Sequence, residues 1–221
     1  MTALKKCLAL VVLLTVWTNL QADTLTTAAP NNGSGGIFFN LTASGTSDLT
    51  FESFGVPFSS TAGSSVSVEL WSRPGTFVGF TTSSAGWTFL GTVTATSAGT
   101  TTFSDPVALP SPILLPVGTT TAFYFHATTA GGGIRYTGTA ASPPQDTWSD
   151  SNITLFGNVS RTGNVSFGGT QFTPRTYSGF INYSVSAVPE PATIILAGLG
   201  LGGIVMFRKH RRTRASRKHK A

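Results

Sequence analysis

Cysteine is all but missing from this chain: the one thiol in 221 residues, Cys7, lies in an apolar stretch beside the N-terminus. A disulfide framework and a thiolate metal site are thereby excluded. An acylated cysteine has to follow the hydrophobic stretch, and Cys7 precedes most of it, so no lipid anchor is expected. Histidine is nearly as scarce. Only His126 lies outside the C-terminal basic tail, so a histidine-based triad or a zinc site would have to be assembled around a single imidazole. His126 stands in an apolar run and reads as a structural histidine. Charge is thin too, at 10% of residues, and the charged helix formers that usually cover a helical surface are rare between the two ends.

The net charge of +6 hides a segregation. Lys5 and Lys6 sit at the N-terminus, and eight of the 14 Lys and Arg residues fall between Arg208 and Lys220. From Asp23 to Ala187, Arg73, Arg135, Arg161 and Arg175 face seven carboxylates, a balance of −3. Blocks of like charge flanking apolar runs set membrane orientation, whereas a nucleic-acid binder spreads its positive field over a folded face. No nucleic-acid partner is expected.

Lys5-Lys6, the apolar stretch from Cys7 to Trp17 and the small polar approach to Ala22 have the three parts of a secretory signal peptide over residues 1–22, with cleavage predicted between Ala22 and Asp23. At the other end, Ala192 to Phe207 runs without a charge and meets the basic cluster directly. As a helix it would cover about 24 Å, workable as a single span if Arg208 and Lys209 snorkel. Arg208, Lys209, Arg211 and Arg212 form the expected stop-transfer block, with a basic cytoplasmic tail over 215–221. Residues 23–187 then face outward.

Before the apolar segment stands Val188-Pro189-Glu190-Pro191-Ala192-Thr193, where two prolines one residue apart hold the chain extended. This sequence, the glycine-studded apolar helix and the Arg/Lys-rich end together resemble the PEP-CTERM sorting signal of exported proteins of Gram-negative bacteria, over residues 188–214. The resemblance implies handling by exosortase, a membrane transpeptidase or protease, in bacteria that make exopolysaccharide and biofilm matrix. Pro189, Glu190 and Pro191 would be recognised residues, not catalytic ones. The implied route is export, transient residence in the inner membrane with the C-terminus in the cytoplasm, then the cell surface or extracellular matrix.

Over the whole chain Thr (35) and Ser (24) exceed a quarter of the residues, and between the two ends short apolar runs alternate with Gly, Pro, Ser and Asn clusters without a 3.6-residue period. β-Branched and aromatic residues suit a pleated sheet, and Ser and Gly suit its turns. Strands are predicted at 37–42, 49–56, 65–72, 87–96, 119–128, 134–139, 153–158 and 177–185, with short additions at 101–103 and 113–115. Eight to ten strands predict an all-β fold, an antiparallel β-sandwich of jelly-roll-like form. Val66, Val68 and Leu70 alternate with Ser67, Glu69 and Trp71, and Phe123 and Phe125 with Tyr124 and His126. The prolines between Ala108 and Gly118 predict an edge strand or a crossover. The phrases from Val68 to Phe80, Gly131 to Thr139 and Phe172 to Tyr183 resemble a module of exported bacterial proteins to which no activity is attached.

Candidate chemistry is sparse. Asp146 and Asp150 in D-T-W-S-D-S-N offer oxygen ligands of the kind Ca²⁺ accepts, although the run lacks the alternation and glycine of a calcium loop and reads first as a polar turn. Apart from that cation no cofactor is expected. Asp48, Glu52, Glu69 and Asp105 would serve a glycosidase only if two of them met within about 5–10 Å. Trp71 and Trp87, with Trp148, Tyr124 and Tyr136, are candidate sugar platforms or core aromatics. The reading is a non-enzymatic surface or matrix protein with a structural or adhesive role and exosortase, the inner membrane and exopolysaccharide as partners. A carbohydrate-binding module is the alternative, and a secreted hydrolase the third.

Overall fold

Alternating apolar and hydroxyl side chains with no helical period leave the backbone one economical way to pair its polar groups while burying a single face, which is to form strands. The computed structural model describes residues 21–33, 35–138 and 145–186, and these are all-β. Residues 1–20 of the expected signal peptide (1–22), the Pro-Glu-Pro sequence, the apolar segment and the basic tail lie outside the described residues. Among the described residues no helix is long and apolar enough to cross a membrane.

In chain order the strands are β1 (Gln21–Thr26), β2 (Asn32–Gly33), β3 (Gly36–Ala43), β4 (Leu49–Gly55), β5 (Ser65–Pro74), β6 (Thr88–Thr96), β7 (Val107–Leu115), β8 (Thr120–Ala127), β9 (Arg135–Tyr136), β10 (Thr147–Ser149), β11 (Ile153–Arg161), β12 (Gln171–Phe172) and β13 (Phe180–Val185). One sheet has the order β1-β13-β4-β7. The other runs β10-β11-β3-β8-β5-β6 with β12 paired to β11, and β2 pairs with β9 in a small ribbon. Every strand pairing is antiparallel. The chain passes from one sheet to the other at β3–β4, β4–β5, β6–β7, β7–β8 and β12–β13, so the two sheets are stitched together along their length.

Their facing sides form the main core. Phe51 and Phe54 of the smaller sheet meet Phe123 and Phe125 of the larger at ring distances of 5.3 and 4.4 Å. Val66, Val68 and Leu70 are fully buried in this layer, and Ser67, Glu69 and Trp71 point the other way, as their alternation predicts. The proline-rich segment is the edge strand β7. Its ladder jumps from Phe51↔Ile113 to Ser53↔Ala108, which leaves Leu109–Pro112 out of register and spares the prolines a donor they lack. Pro110 packs against β6 at Gly91, where an added Cβ would stand 3.1 Å from the proline ring and where φ is +137°.

Several elements depart from expectation. β1 begins at Gln21, so a cut between Ala22 and Asp23 falls inside a paired strand and leaves Asp23–Thr26 against Tyr183–Phe180. β11 runs three residues past the predicted end at Asn158, to Arg161, because a register shift between Phe156 and Val159 absorbs Gly157 and Asn158 without ending the strand. The expected strand at 134–139 shrinks to β9, and residues 101–103 form no strand. Tyr124 and His126, on the outward phase of β8, are as deeply buried as Phe123 and Phe125 because two long connections fold over that side of the larger sheet.

Candidate functional site

Those two connections, residues 75–87 between β5 and β6 and residues 162–170 between β11 and β12, build a second aromatic layer on the outer face of the larger sheet. Phe38 stacks on Tyr124 at 3.9 Å with planes 5° apart, and Phe77 stacks on Phe156 at 5.6 Å. Asn40 reaches outward from β3 to tie down the first connection: its amide donates to Thr76 Oγ1 at 2.9 Å and its carbonyl accepts the Phe77 N–H at 3.1 Å. Arg161 clips the two connections to each other. Its Nε donates to the Thr81 carbonyl at 2.6 Å and its Nη1 to the carbonyls of Gly168 and Gly169 at 3.1 and 3.0 Å. A buried guanidinium spent on three backbone carbonyls joins loops; it is not offered to an external anion.

Phe167 is the wedge of this layer. Its backbone has φ of +61°, costly for a residue with a Cβ, and its ring contacts Phe38, Trp71, Trp87 and Tyr124. Its N–H points at the Tyr124 hydroxyl at 3.4 Å, and that hydroxyl stands 2.6 Å from His126 Nδ1. The hydroxyl accordingly donates to Nδ1, which places the imidazole proton on Nε2, a buried atom without a partner among the described residues. Burial pushes the His126 pKa down to about 4, with Glu69 opposing and Arg161 assisting more weakly. A neutral imidazole with one nitrogen held by a tyrosine and the other facing protein has no path to a substrate. His126 holds the layer together.

The accessible part of this face lies beside it. Trp71 is half-buried, set against Phe167 from one side (5.3 Å, planes at 81°) and against Phe89 from the other (4.8 Å, 49°). Phe89 is 49% exposed. Glu69 Oε2 accepts the Ser166 hydroxyl at 2.6 Å and the Trp71 indole N–H at 3.4 Å. Trp87, named from the sequence as a second sugar contact, is only 8% exposed, and its indole N–H is taken by the Phe80 carbonyl at 2.8 Å. It belongs to the layer beneath, and the accessible aromatic pair on this face is Trp71 with Phe89.

The other candidates are dispersed. Glu52 accepts the Ser184 hydroxyl at 2.7 Å on the smaller sheet, while Glu69 lies on the outer face of the larger. Two sheets about 10 Å apart separate them, which prevents a glycosidase pairing. Asp146 and Asp150 flank β10, and four residues of extended chain hold their Cα atoms about 13 Å apart. Asp150 Oδ1 receives the N–H groups of Asn152 and Ile153, and its Oδ2 lies 2.7 Å from the Tyr183 hydroxyl, whose other neighbour is Asp23 Oδ2 at 3.2 Å. Burial first, and these carboxylates second, push the Tyr183 pKa up. Among the described residues no three Asp, Glu, His or Cys side chains gather as a metal site. A cleft of about 250 Å³ lined by Gly35, Ser59, Thr129, Ala130, Gly131, Gly133, Gly163 and Asn164 contains no charged side chain.

Phe89, Ser166 and Arg161 escape a reading of the sequence. The bulge opposite Leu70 and Trp71 changes the phase of β6, so alternation does not put Phe89 beside Trp71. Ser166 sits in a Gly- and Asn-rich run that reads only as a turn; the signal is the aromatic Phe167 planted inside it.

Residues 187–212 match the PEP-CTERM protein-sorting motif. No curated protein matches the chain.

Proposed function

We propose, from the PEP-CTERM sorting motif that this chain carries ahead of its basic end, that it is an exported protein handed to exosortase and delivered to the cell surface or the exopolysaccharide matrix. The observation that carries this reading is the motif match over residues 187–212, which starts directly after β13. The sequence Pro189-Glu190-Pro191 carries a glutamate between two prolines, residues that disfavour helix and suit a recognised peptide motif. The N-terminal Lys pair and apolar stretch supply the export half of the route, and the stop-transfer block at Arg208–Arg212 the transient hold in the inner membrane. A folded domain with no cysteine after Cys7 needs no redox help outside the cell.

The described domain then serves a structural or adhesive role, with no catalysis and no cofactor of its own. The eight strands β1, β3, β4, β5, β6, β7, β8 and β13 have the wiring of a jelly roll, a form that leaves loops and sheet faces free for contacts. Alanine replacement of Pro189, Glu190 and Pro191 together tests the sorting half. In a host with exosortase the full-length precursor is expected to accumulate in the membrane fraction, seen as a larger band on immunoblots. Unchanged size and location of the variant overturn the reading.

A further inference from the structure

The outer face of β5 and β6 carries an ordered surface that sorting does not explain. The register sets Trp71 opposite Phe89, Glu69 opposite Thr92, Ser67 opposite Thr94 and Ser65 opposite Thr96. The bulge drops Leu90 from the ladder and so keeps Phe89 on the same face as Trp71. Phe89, Thr92, Thr94 and Thr96 are all exposed. Two tilted rings thus stand at one end of a row of hydroxyls, Thr92 to Thr96, that continues along β6 for about 13 Å. Glu69 lies between rings and hydroxyls. Ser166 and Trp71 fix its Oε2, and its Oε1 receives no hydrogen bond from any described residue.

We propose that this face binds a neutral polysaccharide, with the C–H face of one sugar ring on Trp71 and Phe89, a sugar hydroxyl donating to Glu69 Oε1, and the following sugars along Thr92, Thr94 and Thr96. Three features select this occupant. The aromatic rings are pre-set: Trp71 is wedged by Phe167, so stacking costs little side-chain entropy. The remainder of the strip is hydroxyl, which matches sugar hydroxyls as both donor and acceptor and is a poor protein interface, where serine is depleted and about 800 Å² per partner is needed. The charge disfavours polyanions, since Glu69 sits at the centre of the strip and residues 23–187 carry −3. Arg73, two residues from Trp71 on β5, is stacked on Phe80 at 3.2 Å and donates to the Thr76 carbonyl at 2.7 Å, and Arg161 is spent on the carbonyls of Thr81, Gly168 and Gly169. This inference concerns the folded domain and stands or falls separately from processing of the tail.

The test is affinity electrophoresis of the full chain, purified in mild detergent, through native gels cast with hydroxyethyl cellulose, xyloglucan or dextran, and with alginate as the polyanionic comparison. At least one neutral polymer is expected to retard the protein, and alginate not. Phe89→Ala is expected to weaken that retardation about tenfold, with Thr94→Ala weakening it less and Leu114→Ser, on the other sheet, leaving it unchanged. Trp71→Ala should act like Phe89→Ala; because Trp71 also packs inward, the exposed Phe89 carries the test if the tryptophan variant does not fold. Absence of retardation in all three neutral polymers overturns the proposal. So does retardation by alginate as strong as by the neutral polymers, or wild-type binding by a folded Phe89→Ala. A dimer in sedimentation that Phe89→Ala abolishes would assign the face to a second copy of the chain, and the proposal fails.

Discussion

Acid should loosen this protein through one residue. His126 is fully buried with its pKa pushed down to about 4, while the unfolded chain titrates near 6.5. Between those two values the unfolded state holds a proton that the folded state does not, so stability is complete above pH 6.5 and falls as the pH drops toward 4. At 1.36 kcal/mol per pH unit the gap is worth about 3 kcal/mol, a large share of a typical domain's stability. Glu69 pulls the His126 pKa upward and Arg161 pushes it down, both more weakly than burial. The assay is urea unfolding followed by tryptophan fluorescence from pH 7.5 to 4, on the wild type and on His126→Asn, whose amide oxygen can accept from Tyr124 without titrating. Carboxylates contribute equally to both proteins, so the difference isolates the imidazole. The wild type is expected to lose about 3 kcal/mol more than the variant across that range. Parallel curves, or an imidazole NMR signal that titrates near pH 6.5, would refute the reasoning.

Arg161→Met removes three charge-assisted bonds to the carbonyls of Thr81, Gly168 and Gly169. It should cost about 3 kcal/mol and red-shift the fluorescence of Trp71 and Trp87 as the covering loops part; Arg161→Lys, without the planar fork, should recover little of the loss in chemical unfolding. Phe54→Ala opens the contact with Phe125 in the main core and should lower stability by about 3–5 kcal/mol in the same experiment.

The main core is written in period-two runs, which is why β3, β4, β5 and β8 appear near their true limits in a reading of residues alone. Whatever interrupts the period hides. Gln21 and Ala22 of β1 are read as the end of a leader, and the predicted strand at 153–158 stops short of Val159–Arg161, which the chain reaches only through a bulge. The outer aromatic layer is hidden for another reason. Alternation assigns Tyr124 and His126 to a face away from the core, yet only the positions of residues 75–87 and 162–170 decide whether that face is wet. Trp71 is recognisable because it alternates with Leu70 on a regular strand. Phe89 depends on a one-residue slip in its partner, and separating Glu52 from Glu69 requires knowing that β4 and β5 belong to different sheets.

The terminal strand of this domain is an interior one. β13 lies between β1 and β4, with six register pairs to each, and the chain leaves it at Val185 just before the sorting motif. A load applied through the tail therefore runs along β13 and must shear two ladders at once instead of peeling a strand from an edge rung by rung. Loss of Gln21 and Ala22 would shorten the β1 ladder from six pairs to four and leave the β4 ladder untouched. Resistance to a pull on the chain beyond Val185 is then set by the small sheet, whose interior strand is clamped by a neighbour on each side.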